Sequence, residues 1–157
     1  MPTVLFLILG IGVVILAGVL GSKRRQTLVN EGKIIEREYD FHEKTYLFLT
    51  SKSYQDIINA VNVTDFSDAD VQILNASNNK NSLLFKHNNS WVAKLEYKGQ
   101  RDGKNMFSYG LTSWKTNRGV PAGGHTMNMM QTALEKMFLS LDPETMIETH
   151  KMQIKTQ

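Results

Sequence analysis

The chain opens on 18 positions without a charged side chain, residues 3–20 (TVLFLILGIGVVILAGVL), and no later apolar run approaches that length. At about 1.5 Å per helical residue the run reaches about 27 Å, close to the roughly 30 Å of a bilayer core. A single transmembrane helix is therefore expected over residues 1–22. Lys23, Arg24 and Arg25 follow the apolar run, whereas a cleaved secretory signal carries its positive residues before a shorter one. An uncleaved anchor is the better match. Because Lys and Arg beside a span stay on the cytoplasmic side, the cluster predicts an outside N-terminus and a cytoplasmic body. The alternative is an extracytoplasmic body, in which the sequons at Asn62, Asn75 and Asn88 would matter in a eukaryote.

Past the anchor the pattern changes period several times. Residues 23–44 form a basic cluster and charged connector whose one apolar pair, Ile34-Ile35, does not distinguish helix, strand or stalk. Residues 45–50 (TYLFLT) predict a strand. Tyr54, Ile57, Ile58 and Val61 then recur on one face of a helix, with Ser53 placed to cap it. Strands are predicted over 71–75, 82–87 and 91–97; in the last, Trp91, Ala93, Leu95 and Tyr97 alternate with Val92, Lys94 and Glu96. Asn88-Asn89-Ser90 suits the turn between the last two, since Asn tolerates positive φ. A second hairpin through KGQRDGK leads to residues 105–115, where Gly110 would mark a bulge or bend.

From Met127, apolar Met130, Ala133, Leu134, Met137, Phe138 and Leu141 trace one helical stripe, leaving Asn128, Gln131, Glu135 and Lys136 off it. Asp142-Pro143 should stop that helix or cap a short new one, and the tail HKMQIKTQ should fray. The order is β-α-β-β-β-α, or one strand more. It implies an α+β domain over 45–157: a curved antiparallel sheet of about four or five strands packed against a long C-terminal helix. In element order alone, this resembles the helix-grip and TATA-binding-like folds. The resemblance rests on no residue motif, so it implies an architecture and no function.

Composition narrows the classes. With 157 residues, 41% hydrophobic, the chain has room for one core beside the anchor. It has no cysteine, which excludes disulfides and thiolate metal sites. The net charge of +3 hides a local imbalance: Lys80, Lys86, Lys94, Lys98, Arg101, Lys104, Lys115 and Arg118 face only Glu96 and Asp102 over residues 79–118. Residues 45–78 run the other way, with Lys52 against Asp56, Asp65, Asp68 and Asp70. The basic stretch suits an anionic lipid surface, each well-placed cation contributing about 1 kcal/mol, or no ligand at all. Nucleic acid is disfavoured, because Trp91, Tyr97, Phe107 and Tyr109 alternate with the lysines and so face the core.

Candidate chemistry concentrates in GVPAGGHT, residues 119–126. It matches the phosphate-loop pattern G-x-x-x-x-G-K-S/T except that His125 replaces the lysine. Its setting is wrong for a nucleotide-hydrolysing loop, since an antiparallel strand precedes it and too little chain follows. A weaker anion site remains, using free N–H groups at the helix start with Arg118, Gly123, Gly124, His125 and Thr126. The bland alternative is a glycine-rich turn into the helix. His42, His87, His125 and His150 are scattered singly, so neither a metal site nor a cofactor is expected. The favoured function is a non-enzymatic, membrane-anchored module that binds a protein, an anionic surface or a small ligand, with Met127, Met129, Met130 and Met137 as an adaptable contact. The alternative is an enzyme or binder acting on a phosphate-bearing ligand through Arg118, His125 and Thr126. Oligomeric state is left open.

Overall fold

The capping residue named by the sequence closes a reciprocal pair. In the computed structural model, which describes residues 22–75 and 81–152, Ser53 Oγ accepts from the Asp56 N–H (3.2 Å) and the Asp56 carboxylate accepts from the Ser53 N–H (2.9 Å). Both orphan donors at that helix start are thereby satisfied. The helix they open, α2 (Tyr54–Val63), buries Ile57, Ala60 and Val61. An earlier helix, α1, spans residues 22–30. Gly32 N–H bonds Val29 O and Lys33 N–H bonds Leu28 O, both at 2.9 Å, which is the double bond of a Schellman stop. Lys23, Arg24 and Arg25 lie exposed on α1. The expected span over residues 3–20 lies outside the described residues, and among those described no helix is long and apolar enough to cross a membrane.

The chain divides into two units, Met1–Glu36 and Arg37–Gln157. The second holds an α+β fold with one six-stranded antiparallel sheet. Its strands are β1 (Lys44–Thr50), β2 (Gln72–Asn75), β3 (Ser82–His87), β4 (Trp91–Arg101), β5 (Lys104–Trp114) and β8 (Met146–Lys151), in the order β2-β3-β4-β5-β1-β8. Between β5 and the last helix, β6 (Thr116–Asn117) and β7 (Val120–Pro121) make a separate two-stranded ribbon. The helix itself, α3, spans Gly124–Leu141.

The sheet therefore has one strand more than the upper expectation, and α3 is not terminal. The fraying expected of the tail is corrected as far as residue 151. β8 pairs with β1 from Lys44↔Lys151 to Leu49↔Met146, and Ile147, opposite Phe48, packs against the core. Without β8, β1 would expose a row of unpaired backbone groups, and that demand outweighs the weak strand pattern of MIETHK. Asp142 does not restart a helix; its carboxylate accepts from the Thr50 hydroxyl and the Ser51 N–H, both at 2.7 Å, tying the end of α3 to the end of β1.

The turn at 88–90 forms where expected, with His87 paired to Trp91 and Asn88 at φ 43°. β4 and β5 run on past the predicted limits to the two-residue turn Asp102-Gly103. Gly110 is not a bulge. It pairs regularly with Lys94, while the register shifts lie between Val92 and Ala93 and between Tyr97 and Gly99. A Cβ at Gly110 would sit 3.3 Å from Thr45 Oγ1, so the position serves close approach of β1. The main core lies between the sheet and the α2 and α3 faces. Phe138 stacks on Phe48 at 4.3 Å between ring centroids, and Ile57, Met130 and Leu134 are fully buried with them.

Candidate binding end of the sheet

Residues 119–126 do not form one loop. Arg118 (φ 52°) and Gly119 (φ 80°) occupy the two-residue tip between β6 and β7, Val120 and Pro121 belong to β7, and Gly123 precedes the first residue of α3, Gly124. The helix thus starts three residues before the expected Met127. Gly123 is required twice over. Its φ is 81°, and a Cβ there would lie 3.1 Å from the Trp91 indole and from Thr126 Oγ1. The Thr126 hydroxyl accepts from Trp91 Nε1 (3.0 Å) and donates to Gly123 O (2.8 Å), a structural clasp between β4 and α3. His125 is exposed, and Gly124 faces open space. The structure brings Gly123 and Thr126 together through Trp91 and puts Arg118 at a ribbon tip.

The basic stretch sorts into two groups once its partners are known. Lys94 and Lys98 both pair with Glu96, at 3.0 and 2.6 Å, and the Lys98 contact leads in drawing the Glu96 carboxyl below its ordinary value. Arg101 pairs with Glu148, and Lys104 Nζ donates to Glu144 O. Lys86, Lys115 and Arg118 have no such partner among the described residues. Lys80 lies outside them. Two of the uncommitted cations, Lys86 and Lys115, line one open groove of about 380 Å³ at the end of the sheet. Asn88, Asn89, Ser90, Trp91, Val92, Ser113 and Trp114 complete its wall, to which no acid among the described residues contributes.

The groove is fixed on both sides. Ser90 N–H closes the β3–β4 turn on His87 O (3.0 Å), and Lys115 N–H bonds Ser90 O (2.8 Å), drawing the turn and the end of β5 together. Behind the turn, the His87 ring lies 5.4 Å from the Trp91 ring in a stacked arrangement, and Asp70 O is 3.0 Å from His87 Nδ1. Trp114 packs edge-on against His42. The sequence shows the charge excess but not this convergence, because Lys86 and Lys115 are 29 positions apart. The signal that joins them is the predicted turn at 88–90.

A buried polar network is the larger surprise. Asn128, Gln131, Thr132 and Glu135 are all buried on α3, although the apolar stripe points elsewhere. Arg37 satisfies them from the start of the second unit. Its guanidinium donates to both Glu135 oxygens (3.0 and 2.9 Å), to Asn128 Oδ1 (3.0 Å) and to Thr132 Oγ1 (3.3 Å), and its Cζ lies 5.8 Å from the Tyr46 ring centroid. Gln131 Nε2 adds a bond to Glu135. Burial raises the neighbouring Tyr109 phenol above its ordinary value, with the Arg37 charge opposing that shift. No buried side-chain nitrogen or oxygen among the described residues lacks a hydrogen-bond partner, so the network ties Arg37 firmly to α3. Met127, Met130 and Met137 are buried core residues and Met129 packs against the core. Among the described residues no three His, Asp or Glu side chains converge as metal ligands. No protein-family model matches the chain, and no curated protein sequence matches it.

Proposed function

We propose that this chain is a membrane-anchored, non-enzymatic binding module whose cationic sheet end receives an anionic partner. The observation that carries the reading is the sorting of charge: Lys94, Lys98 and Arg101 are paired with acids in place, whereas Lys86 and Lys115, which line one groove, and Arg118, at the ribbon tip that follows, make no ion pair among the described residues. Isolated like charges near one another raise the local potential, and an anion relieves it. The apolar run over residues 3–20 supports the anchor, and Lys23 to Arg25 support a cytoplasmic body. Tethering raises the local concentration of a weak site at a membrane surface.

Retention of the detergent-solubilised full chain on phosphocellulose tests the binding half. Replacing Lys86, Lys115 and Arg118 by Ala should abolish retention. Replacing Lys94, Lys98 and Arg101 by Ala removes as much charge and should leave it largely intact. Equal losses from the two triples would reduce the effect to net charge and sink the reading. Protease treatment of sealed vesicles or cells tests the other half, since a cytoplasmic body must be protected from outside.

A further inference from the structure

We propose that the groove between the β3–β4 turn and the end of β5 is a binding site for a phosphate monoester, carried either by a small soluble molecule or by a lipid head group. This rests on the reading of the sheet end as anion-binding and goes further, to one groove and one ligand class. Two features of the wall argue for it first. Lys86 and Lys115 line the same space, and neither ammonium group makes an ion pair or hydrogen bond among the described residues. Among the described residues no carboxylate lines the groove, so none of them competes in its wall for those ammonium groups.

The charge count favours a phosphate monoester over a carboxylate. A phosphate monoester carries about 1.5 to 2 negative charges at neutral pH and three acceptor oxygens, which matches two cations better than a single carboxylate charge does. Lysine serves such a group as a mobile point charge. The polar remainder of the wall, Asn89, Ser90 and Ser113, carries amide and hydroxyl donors suited to the remaining oxygens. Val92 and Trp114 supply an apolar part for whatever the phosphate is attached to. A volume of about 380 Å³ holds a head-group-sized molecule.

The wall is also preorganised, which lowers the ordering cost of binding. The Lys115 N–H bond to Ser90 O fixes the groove's width. Asn88, at φ 43°, is held from behind by Asp70, whose carboxylate oxygen lies 3.4 Å from its amide nitrogen. That acid is spent on the turn and is absent from the groove wall.

The test uses the full chain in nanodiscs and reads backbone amide NMR shifts. Methyl phosphate added to discs of neutral lipid should move the amides of Asn88, Asn89, Ser90 and Lys115, while acetate at the same concentration should not. Lys86→Ala and Lys115→Ala should each weaken the response about tenfold, as expected for loss of one charge-assisted contact; Lys94→Ala, which removes a cation paired with Glu96, should not. Unchanged resonances of β1 and β8 in each variant show that the fold is intact. In a second arm, discs containing phosphatidic acid are compared with discs of phosphatidylglycerol, whose phosphodiester has one charge. Shifts with phosphatidic acid alone, and none with methyl phosphate, assign the lipid source; shifts with methyl phosphate assign the soluble one. Silence in both arms overturns the groove, and so do shifts confined to Gly124 and His125, which would place the anion at the start of α3. If phosphocellulose retention still depends on Lys86, Lys115 and Arg118 in that event, the anionic partner stands and only the phosphate monoester in the groove is lost.

Discussion

Removing the Arg37 guanidinium leaves the Glu135 carboxylate buried without its countercharge, and takes one donor each from Asn128 Oδ1 and Thr132 Oγ1. Breaking a buried pair by one partner typically costs about 3–5 kcal/mol, whereas replacing both partners by apolar residues is often neutral. Arg37→Ala should therefore lower the urea midpoint sharply, and Arg37→Met with Glu135→Leu should recover most of the loss. A single variant as stable as the parent would mean that the network contributes nothing. Asp142 gives a second measurement, in acid. The Ser51 N–H, then the Thr50 and Ser51 hydroxyls, hold its carboxyl well below its ordinary value of 3.8. With the folded value below the unfolded one, the group stabilises the fold above the unfolded value, and the contribution is lost as pH falls from about 5 through the folded value. Asp142→Asn should flatten that part of the acid-unfolding curve. An unchanged curve would show that the clasp between β1 and α3 is energetically idle.

Gly123→Ala probes how the last helix meets the sheet. Forcing a Cβ into left-handed backbone costs about 1–2 kcal/mol, and here the methyl would also press on Trp91 at 3.1 Å. A lower melting midpoint with a shifted Trp91 indole resonance is expected, and an unmoved indole would separate α3 from that contact. At the other end, deleting residues 146–157 leaves β1 paired with β5 alone, so amides of β1 that are protected by β8 should exchange fast. Retained protection would mean that β8 is dispensable. These two places also show what was legible beforehand. β3, β4 and the turn between them could be read because one face is buried and one is wet, which imposes alternation. β8 could not, since four of its six positions, Glu148 to Lys151, are polar or charged, and a largely exposed edge strand imposes little pattern. The burial of the polar face of α3 was not legible for a different reason: its partner, Arg37, is 91 residues from Asn128, and no local period encodes such a bond. In the binding end, the charge excess was visible but its division into paired and uncommitted cations depends on cross-strand register.

The two units imply separable physics, because Arg37–Gln157 contains the hydrophobic core in its own right. Vesicle flotation can divide the anchor from the charges beside it. Insertion of an apolar helix is driven by burial and is indifferent to salt, whereas attraction of Lys23, Arg24 and Arg25 to anionic lipid, about 1 kcal/mol each, is screened. The full chain should float with neutral and anionic vesicles alike, and should stay bound at about 1 M salt, where the screening length is about 3 Å. A chain lacking residues 1–21 keeps the basic residues of α1 and should float only with anionic vesicles, and only at low salt. A chain lacking residues 1–30 loses those cations as well, so any flotation left to it must come from Lys86, Lys115 and Arg118, and should vanish when all three are replaced by Ala. Its melting transition should resemble that of the longer forms, since the second unit keeps its core. Release of the full chain by salt would mean that residues 3–20 are not inserted, and the anchor, with the orientation inferred from its flanking charges, would have to be abandoned.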